Sequence, residues 1–237
     1  MKLKKINENL QEALIANGLM QANEMQKETF STLKSGADCI IIAPDGSGKS
    51  TTIIINVIQK LAGTSEESPR ALIIVEDKTK VLEMVALFER YGKNSGLEVY
   101  GVHDKGDTDY DKNYISTGID VLIGTPNKLN DLFSSAGYNV NRLRMLILDD
   151  ADPILKLRHE IKIMRISNSI AKTQRIIFTD ILTERVEILA DKMLVEPFEF
   201  DFDDEEDFKD DKSEEESDFE ENEDSLEEEE EEEEEEV

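Results

Sequence analysis

Six short apolar runs punctuate the first 180 residues, at 38–43, 71–75, 97–101, 120–123, 144–148 and 174–179. They are continuous rather than alternating, which is the pattern of strands covered on both faces of a parallel sheet. The 3.6-residue spacing between them predicts helices at 49–62, 79–92, 126–135, 153–171 and 183–193, with two more, 7–17 and 24–34, before the first strand. Gly18 stands where a left-handed residue closes the first helix. Asn23-Glu24-Met25-Gln26 resembles a capping box opening the second. Strand–helix alternation predicts one α/β domain built on a doubly wound parallel sheet. One segment conflicts with its neighbours: Thr51 to Ile58 is β-branched almost throughout and has strand propensity. The glycine-rich stretch before it requires a helix, and tertiary context overrides propensity.

Charge changes the picture at the end of the chain. Of 237 residues and a net charge of −28, residues 201–237 hold 26 acids against two lysines, a net −24 that leaves −4 for residues 1–200. Glu227 to Glu236 is unbroken glutamate. Such a segment buries too little apolar surface to offset its ordering entropy and is expected to be disordered. Two roles stay open for it: a solvated tail with no specific partner, or a nucleic-acid mimic that binds basic partners. The single cysteine, Cys39, excludes an internal disulfide framework. The basic N-terminus has no apolar core of a signal peptide, and no run approaches the ~20 apolar residues of a membrane span. A soluble cytoplasmic protein is expected.

The chemistry concentrates in two places. Ala43-Pro44-Asp45-Gly46-Ser47-Gly48-Lys49-Ser50-Thr51 follows a predicted buried strand and opens a predicted helix. It fits the P-loop pattern except that Ala43 replaces the first glycine. Gly46 and Gly48 let backbone N–H groups line an anion nest, to which the helix N-terminus adds its dipole. Lys49 offers a point charge to the β/γ-phosphates of ATP, and the Ser50 hydroxyl can ligate Mg²⁺. The second place is Asp149-Asp150-Ala151-Asp152, after the run Met145 to Leu148. Read alone it is either an acidic turn or the carboxylate half of the same site. Beside a P-loop, Asp149 becomes the Mg²⁺ ligand and Asp150 the group that orients and deprotonates water.

Several segments in order resemble the N-terminal RecA-like domain of a DEAD-box RNA helicase, over residues 1 to 200. Gly18 through Gln26 stands at the Q motif, Ala43 through Ser50 at motif I, Thr117 through Phe133 around T-P-G-R, Leu146 through Leu155 at D-E-A-D, and Gln174 through Ala190 around S-A-T. The resemblance implies that Gln26 reads adenine, that Asp45 to Thr51 cradle ATP, and that Lys78, Thr125 and Lys128 contact RNA. It divides the chain into Q-motif-like helices at 1–36, an ATP-binding domain at 37–200 and the acidic tail. There are departures: Glu76-Asp77-Lys78-Thr79-Lys80 for P-T-R-E-L, Thr125-Pro126-Asn127-Lys128 for T-P-G-R, Thr179-Asp180-Ile181 for S-A-T, and Asp150 for glutamate. Family members close a second RecA-like domain over ATP. The expectation is therefore an ATP- and RNA-binding protein with weak or partner-dependent ATP hydrolysis and no autonomous unwinding. The alternative is a nucleotide-binding scaffold without turnover, its acidic tail binding basic partners.

Overall fold

The structure, a computed structural model, describes residues 6–64 and 68–202. Seven strands form one parallel sheet: β1 (Cys39–Ile42), β2 (Ala71–Ile74), β3 (Val99–Val102), β4 (Val121–Gly124), β5 (Met145–Leu148), β6 (Gln174–Thr179) and β7 (Phe198–Asp201). Their order across the sheet is β3-β4-β2-β5-β6-β1-β7. Among the described residues nine helices connect them: α1 (Glu8–Ala16), α2 (Glu24–Ser35), α3 (Lys49–Leu61), α4 (Lys78–Gly92), α5 (Thr108–Ser116), α6 (Pro126–Ser134), α7 (Ala151–Lys156), α8 (Glu160–Asn168) and α9 (Glu184–Met193).

Alternation along each strand divides the core between the two faces. Ile41, Ile73, Ile147 and Phe178 pack under α1 to α4, and Ile40, Leu72, Ile74 and Leu148 under α5 to α9. Burial on both sides is why the strand sequences are uninterrupted apolar runs. The β-branched run does fold as a helix: Ile53, Ile54, Ile55, Val57 and Ile58 of α3 are all buried. Coverage by other helices as well as by the sheet offsets the weak propensity. The capping box at Asn23 and Gln26 is present, and Gly18 has φ +84°.

Three expectations change. The helix predicted at 153–171 is two helices, α7 and α8, broken where Arg158 adopts φ +60°. Helix α5 and edge strand β7 were not predicted. The sequence of α5, TDYDKNYIS, buries only Asp111 and Ile115 and so has almost no apolar stripe. Strand β7, FEFD, is largely exposed and reaches Asp201, the first residue of the segment expected to be a tail. From that segment, residues 203–237 lie outside the described residues.

Candidate functional site

β1 and β5 end at the same edge of the sheet, separated by β6. The chain leaving β1 turns through Asp45–Gly46 and enters α3. Gly46 and Gly48 have φ of +84° and +91°, the region open to glycine at little cost. Gly48 is the N-cap of α3 and supplies no side-chain cap. The first-turn N–H groups therefore keep no helical or capping partner and form a ready anion site. The Ser47 hydroxyl is buried there without a hydrogen-bond partner.

The chain leaving β5 brings its carboxylates to this loop. Asp149 is only 5 % exposed, and the Ser50 hydroxyl lies near enough to its carboxyl to favour the charged form. Burial, and after it the charge of Asp150, push the Asp149 carboxyl up to about 7, against the pull of Lys80, Lys49 and Ser50. Asp150 adopts φ +57°, ψ +74°, a left-handed conformation that a non-glycine residue holds only where its surroundings enforce it. This turn sets Asp150 Oδ1 3.2 Å from Lys49 Nζ, as an ion pair without hydrogen-bond geometry. The same ammonium donates to the Ala43 carbonyl at 2.9 Å and meets Asp45 Oδ1 at 3.5 Å. Asp152 points elsewhere, accepting from Thr183 Oγ1 at 2.8 Å and pairing with Lys156 at 2.5 Å. Of the three carboxylates, two belong to the cradle and one to the loop after β6.

A divalent cation fits this arrangement. Two crowded carboxylates, one buried and driven toward its neutral form, are relieved by positive charge. Among the described residues no three His, Cys, Asp or Glu side chains cluster as a ligand set. The Ser50 and Asp149 oxygens alone leave most of a Mg²⁺ shell to water and phosphate, the usual arrangement for this ion.

The N-terminal helices reach the same loop. Asn23 Nδ2 donates to the Ser47 carbonyl at 2.7 Å. Gln26, 7 % exposed, caps Asn23 through its side-chain oxygen at 3.3 Å. A Cβ on Gly48 would stand 3.2 Å from Asn23 Nδ2 and 3.5 Å from Gln26 Nε2, so α2 is packed directly on the cradle. Sequence reading singled out Gln26 and recognised Asn23 only as a cap; the partner of Asn23, 24 residues on, carries no local signal.

The residues expected to meet RNA are placed differently from one another. Lys78 opens α4 and is exposed. Thr125, the N-cap of α6, is 2 % exposed and donates to Asp104 Oδ1 at 3.0 Å. Lys128 is 3 % exposed and faces inward. Its ammonium donates to the Gly106 carbonyl at 2.7 Å and Thr108 Oγ1 at 3.0 Å, and pairs with Asp111 Oδ2 at 2.8 Å. Two hydrogen bonds and one ion pair within the protein therefore surround this ammonium. Lys162, which hydrogen-bonds Asn127, lines a 390 Å³ recess beside it. None of these residues adjoins the cradle through a hydrogen bond or ion pair among the described residues.

Comparison with known proteins agrees with this geometry. Residues 23–186 match the family model described as DEAD/DEAH box helicase. The chain is similar to a DEAD-box ATP-dependent RNA helicase of Oryza sativa subsp. japonica, 25% identical over 190 residues, covering 77% of this chain and 20% of that protein. It is similar to the ATP-dependent RNA helicase DeaD of Mycobacterium tuberculosis, 27% identical over 184 residues, covering 77% and 32%. It is also similar to the human ATP-dependent DNA helicase DDX31, 32% identical over 184 residues, covering 73% and 22%. The chain thus spans about a fifth to a third of the length of these relatives. No described helix is long and apolar enough to cross a membrane.

Proposed function

The chain belongs to the DEAD/DEAH box helicase family, and on that premise we propose that it binds Mg-ATP and RNA, with ATP hydrolysis that is weak or dependent on a partner. The reading is carried by the cradle: an uncapped helix N-terminus, a buried Ser47 hydroxyl without a partner, Lys49, and the Ser50–Asp149 contact, all at one edge of the sheet. Asp45 to Thr51 line the phosphates, Lys49 holds the β/γ-phosphates, and Gln26, packed against the loop, meets the base. Ser50 and Asp149 hold the metal. Bound Mg²⁺ supplies positive charge against the phosphate oxygens as charge develops on them. Asp150 is the acceptor for the proton of the attacking water, after exchanging its contact with Lys49 for that role. An arginine supplied by a second RecA-like domain would be worth roughly 10³–10⁵ in rate, as in related ATPases. On the other flank, the exposed Lys78 and the α6 start at Thr125 face the RNA backbone, with Lys128 shaping that edge from inside.

A second reading, a nucleotide-binding scaffold whose acidic segment engages basic partners, is favoured by one observation. Asp150 is a methylene shorter than the family's glutamate, and its carboxylate is already on Lys49.

The test is ATP binding and turnover, each with and without RNA, in the wild type and in Lys49→Ala. Loss of charge-assisted hydrogen bonds worth about 1.5–3 kcal/mol lowers affinity roughly ten- to hundredfold. RNA-stimulated turnover above that of Lys49→Ala supports the ATPase. Turnover equal to it, with ATP still bound by the wild type, leaves the scaffold. Binding of ATP unaffected by Lys49→Ala removes both.

A further inference from the structure

α8 and α9 each bury one face, through Ile163 and Ile166 on α8 and Val186 and Leu189 on α9. Each also carries an isoleucine where a solvated helix would carry a polar residue: Ile161 is 76 % exposed and Ile188 46 %. With Met164 these side chains line a groove of 880 Å³ between the two helices. Its rim is cationic: Arg158, Arg185 and Lys192 are exposed around it, and a single carboxylate, Glu160, is in the lining. Arg158 and Lys192 make no side-chain hydrogen bond or ion pair among the described residues. In a body of net charge −4, such a concentration of cations around an apolar floor runs against the composition. Neither the nucleotide reading nor the RNA reading uses it.

We infer that this groove docks an acidic amphipathic helix of a partner protein. The apolar floor fits a stripe of aliphatic side chains at i, i+3, i+4 and i+7, and the cations fit carboxylates flanking that stripe. Nine residues of α8 rise about 14 Å, long enough to hold about two and a half turns of a partner helix. The lining contains no aromatic ring on which a base could stack, which favours peptide over single-stranded nucleic acid.

The experiment uses the full chain and a dye-labelled synthetic helix with leucines in that spacing and glutamates beside them, followed by fluorescence anisotropy. The probe should bind the wild type, and a scrambled peptide or one with lysines for glutamates should bind at least about tenfold more weakly. Ile161→Glu should lower affinity about tenfold, as expected for an anchor position, and leave affinity for an ATP analogue intact. Lys192→Glu, on the exposed rim, should lower it severalfold and weaken its salt dependence. The inference is overturned if the wild type does not bind the probe, or if the scrambled peptide binds as well. It is equally overturned if Ile161→Glu and Lys192→Glu leave binding unchanged. RNA binding that Ile161→Glu abolishes would reassign the groove to nucleic acid. A photo-crosslinker at position 161 that captures the probe supports the inference; capture of the chain itself or of a second copy overturns it. Because the ATP-analogue readout is separate, failure here leaves the nucleotide site untouched.

Discussion

Two buried lysines stand on opposite sides of the sheet's active edge and meet opposite surroundings. Lys49, after β1, has three oxygens at 2.9, 3.2 and 3.5 Å, one of them on the exposed Asp45. Lys128, after β4, has three at 2.7, 2.8 and 3.0 Å, none of them on an exposed residue. The Asp111 carboxylate that pairs with Lys128 also accepts from Tyr100 Oη at 2.7 Å. Around Lys49 lie a hydroxyl without a partner and a carboxyl driven toward neutrality. Residue type and burial are the same. What differs is closeness: in each case the nearer acidic partner, Asp111 or Asp150, is an ion pair without hydrogen-bond geometry, but the oxygens around Lys128 all lie within 3.0 Å, while two of those around Lys49 stand at 3.2 and 3.5 Å and can be exchanged for a ligand's.

That contrast can be broken at several points. The largest effect is expected at Lys128→Met, which strands the buried Asp111 charge and should cost about 3–5 kcal/mol in denaturant unfolding, with ATP affinity of the folded fraction unchanged. A loss below about 1 kcal/mol would mean that the closely held lysine is dispensable too. Next is Asp150→Glu. The longer side chain restores about an ångström of reach, and a misplacement of that size costs up to ~10²-fold in rate. Single-turnover hydrolysis should rise by up to that factor; no gain, with ATP still bound, places the cradle among binding devices. The smallest effect is expected at Asp45→Asn. Removing an exposed anion that competes with phosphate for Lys49 should tighten ATP binding about two- to fivefold, equivalent to ~0.4–1 kcal/mol, and less at high salt.

How much of this was legible in the sequence follows from where each signal resides. The central strands β1, β2, β4, β5 and β6 appear within a residue or two of their expected bounds, because double-sided burial writes itself as a continuous apolar run. Lys49, Ser50 and Asp149 could be named because the first two follow a local glycine pattern and the third ends a strand. The interior position of Lys128 could not be read. Its acceptors, Gly106 and Thr108, lie 22 and 20 residues earlier, and Thr108 opens a helix whose polar sequence gives no periodic signal. The break between α7 and α8 was hidden for a different reason. Arg158 is not a residue that announces a left-handed turn, so periodicity ran through it. The divergence of Asp152 from its neighbours depends on Thr183, 31 residues away.

The bond from Asn23 to the Ser47 carbonyl has a kinetic side. A phosphate loop held by a neighbouring helix is stiffer than one held by its own turn, and stiffness acts chiefly on how long a ligand stays rather than on how fast it arrives. On the proposed reading, in which this loop holds the phosphates and Gln26 meets the base, the opening helices would also set how long nucleotide stays. Changes in that segment, far from any phosphate contact, would be felt as faster release.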